Sequence, residues 1–351
     1  EDAVAEPSES ATDDVKAGVT PSESLPSISV DSTVVAALSA ALAVVALARS
    51  IGLSSILRDG LVVSPGNDPY YFRYFQSELL AQSDGAADLG MFATVGEQTG
   101  ARPLAHALNW WLAELVGPDT VAAWAPVLAA VILGAVVYLI AVELTADRRI
   151  GIAAVLLFGL TPIHATLTQL GFLDHNPYQH LWLGVLTLAL VWLADDLRDR
   201  LKADRSGLAH ARNPRSWAVA GLLAGAVAAT AHAWGGSPLT FVPVAAYLAV
   251  RALADVRRGV SALPANAPAL GGLAAGAGLA TSSIAKIPFS LRLPFDTARS
   301  RPPKTAIRTS KLARQRAEPG ASSKRTRMDN KSEGATGSWW KQQYCLLQFA
   351  S

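Results

Sequence analysis

The sequence predicts an all-α, polytopic membrane protein with six to seven transmembrane helices and a disordered tail at each end. Three observations carry this. Of its 351 residues, 51% are hydrophobic and 17% charged, and the mean hydropathy is +0.28, too apolar for an ordinary soluble chain. The apolar residues gather into runs near the roughly 20 residues that a helix needs to cross a bilayer. The basic residues fall in alternate connections between those runs, as in a chain that crosses repeatedly.

Residues 1–31 hold eight acids against the single Lys16 and almost no large apolar side chain, so they read as a solvated acidic tail. No basic stretch precedes the first apolar run, which therefore reads as a retained anchor and not as a cleaved signal. The run itself covers 33–53. The segment YYFRYFQSELL reads as a short amphipathic helix, and PLAHALNWWLAELVG at 103–117 as one lying in the membrane interface. Further spans are expected at 121–142, 150–168, 178–194, 216–233 and 238–254, with a Gly- and Ala-rich seventh near 262–284. The transmembrane domain is thus bounded at 32–284. From 285 to 351 no apolar period is visible, and after Ala280 there are fourteen basic against four acidic residues. That composition reads as a disordered basic tail, out of register with the rest of the chain, and no nucleic-acid partner is expected from it.

Arg148 and Arg149 follow the second span, Arg198, Arg200, Lys202, Arg205, Arg212 and Arg215 fill the fourth connection, and Arg257 and Arg258 follow the sixth. These connections are assigned to the cytoplasm. The loop 54–120, the loop 169–177 and WGGS at 234–237 are poor in basic residues and are assigned to the outer face of a multi-pass cell-membrane protein. No charged residue is expected to be buried within a span, which ranks a transporter below an enzyme.

Two outer loops carry an acid in a turn before proline: GNDPYYFR at 66–73 and GFLDHNPYQH at 171–180. Asp68 alone suits a helix N-cap with proline at the first helical position, and Asp174 or Asn176 suits the cap of the fourth span. As a pair on one leaflet, Asp68 and Asp174 could also converge on one hard cation. The single cysteine, Cys345, leaves carboxylates and histidines as metal donors; His175 and His180 would suit zinc, whereas the carboxylates suit magnesium or manganese. His164 and His232 read as packing and turn residues.

GNDPYYFR, GFLDHNPYQH and HAWGGSPL resemble the catalytic subunit of the oligosaccharyltransferases, nearest to the archaeal dolichyl-phosphooligosaccharide glycotransferases, over about residues 33–258. The resemblance implies the GT-C glycosyltransferase fold, of which only the N-terminal half would be present. It implies transfer of glycan from a lipid-linked oligosaccharide, on a dolichyl phosphate or pyrophosphate, to Asn of acceptor proteins with Asn-x-Ser/Thr. Asp68 and Asp174 would be catalytic and would bind Mg or Mn, with Asn176 standing where the family has a second acid or a histidine, and His175 beside it. The family's WWDYG motif is absent: Trp339 and Trp340 are followed by Lys341. On that account this chain alone is not expected to transfer glycan. Another polytopic glycosyltransferase that uses lipid-phosphate sugars is the alternative.

Overall fold

The computed structural model describes residues 31–99, 102–203, 206–236 and 238–284. The expected tails, apart from Asp31, and the paired tryptophans at 339 and 340 lie outside these residues, as does the last residue of WGGS. Along the chain the elements are α1 (Ser32–Ser50), α2 (Leu53–Ile56), β1 (Leu57–Arg58), β2 (Leu61–Val62), α3 (Asn67–Leu80), α4 (Met91–Thr99), α5 (Pro103–Val116), α6 (Pro118–Thr145), α7 (Arg148–Gly159) and α8 (Pro162–Leu167). They continue as α9 (Asn176–Lys202), α10 (Gly207–Ala211), α11 (Pro214–Ala233), α12 (Pro238–Arg257) and α13 (Ala262–Ile284). Among the described residues the fold is all-α apart from one antiparallel pair of two-residue strands.

Local chemistry sets many of these boundaries. Asp31 caps α1 by accepting from the Thr33 amide at 3.0 Å, and Asp147 caps α7 in the same way through Arg149 at 2.7 Å. Proline opens α5, α6, α8, α9 and α11, where its missing N–H costs nothing. Among the described residues four helices, α1, α6, α9 and α11, are long and apolar enough to cross a membrane, and several apolar side chains along them, such as Leu47, Leu128 and Leu222, are exposed, as lipid-facing residues are.

The third expected span departs from the prediction. Over 150–168 the helix stops at Gly159, turns through Leu160 and Thr161, and restarts at Pro162. Proline cannot extend the preceding helix, and Thr161, directly before it, adopts an extended backbone (ψ 111°). The Gly- and Ala-rich seventh segment is a regular helix of 23 residues. It lies against α11 so closely that side chains on Gly272 and Gly276 would stand 2.6 and 2.7 Å from the carbonyls of Ala220 and Ala224. One stripe of helix α5, formed by His106, Asn109, Trp110 and Ala113, is buried, and the helix packs against α3, α4 and α6.

The connections sort into two sets. At one end Arg148 comes within 4.0 Å of Asp31. At the same end Asp196 accepts from Arg200 at 2.8 Å, from His210 at 2.6 Å and from Ser216 at 3.1 Å, tying α9, α10 and α11 together. At the other end of α1, the Leu170 amide donates to the carbonyl of Arg49 at 2.9 Å and that of Gly171 to Ala123 at 3.0 Å. There Ile56, Phe72, Leu173, Tyr178 and Ala233 share one core cluster. The 19 residues of α1 separate the two ends by about 1.5 Å each. Loops rich in basic residues therefore share one end, and the acid-bearing turns share the other.

Candidate functional site

The two acidic turns meet. Gly66 points its missing side chain at Phe172, which would stand 3.7 Å from a Cβ there. Gly171, held at φ 78°, backs onto Pro65 and Ile56, the latter so near that a Cβ would lie 2.8 Å away; only glycine fits both that conformation and that space. Phe72 of α3 completes the junction. His106 of α5 stacks on its ring at 4.6 Å between centroids, His175 stacks on it at 6.1 Å, and Arg102 lies over it at 5.8 Å. Segments a hundred residues apart in sequence thus share one aromatic anchor.

Asp68 lies in the first turn of α3 and is exposed. It does not cap that helix, as its sequence position suggested: Gly66 is the N-cap and contributes no side chain. The Asp68 carboxylate makes no hydrogen bond or ion pair among the described residues, and it sits at the positive end of the helix dipole.

Asp174 is the opposite case, only 1% exposed. Its Oδ1 accepts from the His175 amide at 2.6 Å and from His175 Nδ1 at 2.5 Å, and its Oδ2 accepts from Asn176 Nδ2 at 2.5 Å. Burial pushes this carboxyl up, but the hydrogen bonds and charge supplied by His175, with Arg102 behind them, outweigh it and leave the group below its ordinary range. His175 is therefore committed through Nδ1 to orienting the carboxylate, and only its Nε2 is left to face an ion. Asn176 opens α9, and neither it nor Asp174 caps the helix conventionally, because His175 occupies the N-cap position without a side-chain bond. His180 lies one turn into α9 beside His164, with 5.1 Å between ring centroids.

Tyr178 donates to Asn109 Oδ1 at 2.5 Å, and Gln76 donates to the Asn109 carbonyl at 3.1 Å, so α3, α5 and α9 are pinned beside the acids. The WGGS turn reaches the same end through Ala233, which lies in the cluster of Phe72 and Leu173.

Two residues here were not legible as site residues. His106 is 1% exposed, and both of its ring nitrogens lack a partner among the described residues; burial, with Arg102 next, lowers it to about 4. The signal lies in the spacing of His106, Asn109, Trp110 and Ala113, a helical stripe, within a segment that reads only as an interfacial helix. Arg49 corrects the expectation of spans without buried charge. It is 1% exposed within the first span and bonds to Thr168 and His164.

Oxygen donors from Asp68, Asp174 and Asn176 have the chemistry that Mg or Mn prefers. Among the described residues no group of three or more His, Cys, Asp and Glu side chains is placed to hold a metal. A magnesium-type site does not require one, since such ions are commonly held by one or two carboxylates, with water and substrate phosphate completing the shell. The residues present fit that pattern. Comparison with protein-family models, with curated proteins and with solved structures finds no match to this chain.

Proposed function

We propose that this chain carries the acidic half of a membrane-embedded, metal-dependent glycosyltransferase site of the oligosaccharyltransferase type. It would move a glycan from a dolichyl-phosphate or pyrophosphate donor to the side-chain amide of Asn in Asn-x-Ser/Thr. The observation that supports the reading is the meeting of the two acidic turns over Phe72. In this reading α7 and α8 count as one broken span and α12 and α13 as two more, which with α1, α6, α9 and α11 gives seven crossings, with the acidic turns on the outer face.

Asp174, kept ionised by His175 and Asn176, and Asp68 would hold Mg or Mn, with Asn176 lending an amide oxygen and His175 fixing the carboxylate. A metal held there would supply Lewis-acid polarisation of the acceptor amide. In the transfer the bond from C1 to the phosphate oxygen breaks and the bond from C1 to the amide nitrogen forms. Asp68, exposed and without a partner among the described residues, would take the amide proton as the C1–N bond forms and pass it to water, while the lipid phosphate leaves with the electrons of the C1–O bond. Burial of Asp174 excludes water from the other side.

Titration of the purified protein in lipid nanodiscs with Mn(II), read by electron paramagnetic resonance, tests the reading. Wild type binds, and Asp68→Asn and Asp174→Asn each weaken binding. No binding by wild type, or equal binding by all three, overturns it.

A further inference from the structure

Arg49 is a buried cation that no carboxylate among the described residues neutralises. Its guanidinium spends its donors on three elements. Nε donates to Thr168 Oγ1 at 2.8 Å; Nη1 donates to the carbonyls of Val45 at 2.9 Å and Gly159 at 3.2 Å; and Nη2 donates to His164 Nδ1 at 2.8 Å. Its own carbonyl accepts from the Leu170 amide at 2.9 Å, and its guanidinium lies over the Phe158 ring at 5.2 Å. A charge buried this deeply within an apolar span is costly and is kept only where its hydrogen bonds are made.

Each partner has a reason to need it. Gly159 ends α7, so its carbonyl has lost its helical partner, and Arg49 satisfies it. Thr168 ends the short α8 and is wholly buried. His164 accepts at Nδ1, which places its proton on Nε2. The chain between the break after Gly159 and Asp174 contains only the single short helix α8, and a segment with so little internal ladder is placed by its outside bonds. Three of those bonds, at His164, Thr168 and Leu170, are made with Arg49, and a fourth runs from the Gly171 amide to the Ala123 carbonyl.

We propose that Arg49 is a positioning residue for the second acidic turn: through Thr168, Leu170 and the broken span it sets where Gly171–Asn176 presents Asp174 to the first turn. This rests on the reading of Asp174 as a metal-holding acid. It also gives the break at Leu160–Thr161 a purpose, because a continuous helix over 150–168 would leave the Gly159 carbonyl in its ladder and give Arg49 no hold on the following segment.

The test uses the full chain in nanodiscs with two readouts, hydrogen–deuterium exchange over 168–176 and Mn(II) affinity. Arg49→Gln and Thr168→Val are compared with wild type and with Asp174→Asn, and Arg49→Lys serves as the conservative control. Both variants should exchange faster over 168–176 while peptides of α11 keep wild-type rates, and Mn(II) binding should fall about tenfold or more, the usual effect of losing a group that orients a ligand. Arg49→Lys should not rescue, because an ammonium cannot span the three elements as a planar fork does. Unchanged exchange and affinity in Arg49→Gln overturns the proposal. If Arg49→Gln does not fold, Thr168→Val, which keeps the charge, decides it alone: wild-type exchange there overturns it. If wild type binds no Mn(II), the functional reading fails, and the exchange arm still decides whether Arg49 places the turn.

Discussion

A histidine stacked on phenylalanine with both nitrogens unpartnered is an expensive residue, and His106 is held in that state. Folded, it titrates at about 4, against 6.5 for an unperturbed imidazole. The unfolded chain therefore takes up a proton first as pH falls. Stability is lost between about 6.5 and about 4. Asp174 has its own dependence: its folded value is depressed, so its contribution is present above the ordinary carboxylate range and disappears as pH falls through its folded value. Replacing His106 with Phe keeps the stack and removes two unsatisfied buried atoms, each of which costs roughly 1 to 3 kcal/mol. The variant should melt at a higher temperature than wild type at pH 5 and lose most of the fall between pH 7 and pH 5. Thermal midpoints at both pH values check this, and an unchanged slope would place the titration elsewhere. The acids themselves were legible, since turn, proline and apolar run all mark their places. What His175 and Arg49 do was not, because the first depends on a rotamer and the second on partners 110 to 119 residues away, which no local pattern encodes.

At the scale of the helix, periodicity and length place helix at each apolar segment, broken only in the third, and the Gly- and Ala-rich last one is helical throughout 262–284. Its glycines are contact surface. Without a hydrophobic drive between helices in lipid, close backbone approach is what holds them, and small residues permit it. A Cβ on Gly272 or Gly276 would collide with backbone carbonyl oxygen, which cannot move aside as a side chain could, whereas Gly278 has nothing within 4 Å. Gly272→Val and Gly276→Val should each destabilise by about 1 to 3 kcal/mol or more, the cost of overpacking. Gly278→Ala should be neutral, or better by up to about 1 kcal/mol. Unfolding in detergent mixtures, followed by circular dichroism, separates these outcomes, and equal effects at all three positions would mean that α13 does not depend on that contact. The break in the third segment was readable in principle from Thr161–Pro162; apolarity across 150–168 hid it, because hydropathy does not register a missing N–H.

For the molecule as a whole, the sorting of loops into two ends is what gives the acidic turns a common side. The alternation of basic loops predicted that sorting from charge alone, and the structure reaches it from contacts: Arg148 near Asp31 at one end, Gly66 against Phe172 at the other. The end rich in basic residues is expected to face the cytoplasm, since each resists translocation when it lies in a short loop close to a span. Ser206, in the loop with six basic residues, and Ala87, between α3 and α4, are both exposed, and in the proposed topology the three crossings between them, α6, the broken α7–α8 and α9, put them on opposite sides. With the single native thiol removed by Cys345→Ser, Ser206→Cys should be labelled by a membrane-impermeant maleimide only after the membrane is opened, and Ala87→Cys should be labelled in sealed cells. The reverse pattern would put the acidic turns in the cytoplasm, where a lipid-linked glycan presented from outside could not reach them. Labelling of both in sealed cells would mean that at least one of the helices between them does not cross. Only the first pattern leaves Asp68 and Asp174 on one leaflet with the proposed sugar donor, so the topology experiment bears on the proposed chemistry as directly as a substitution in either acid.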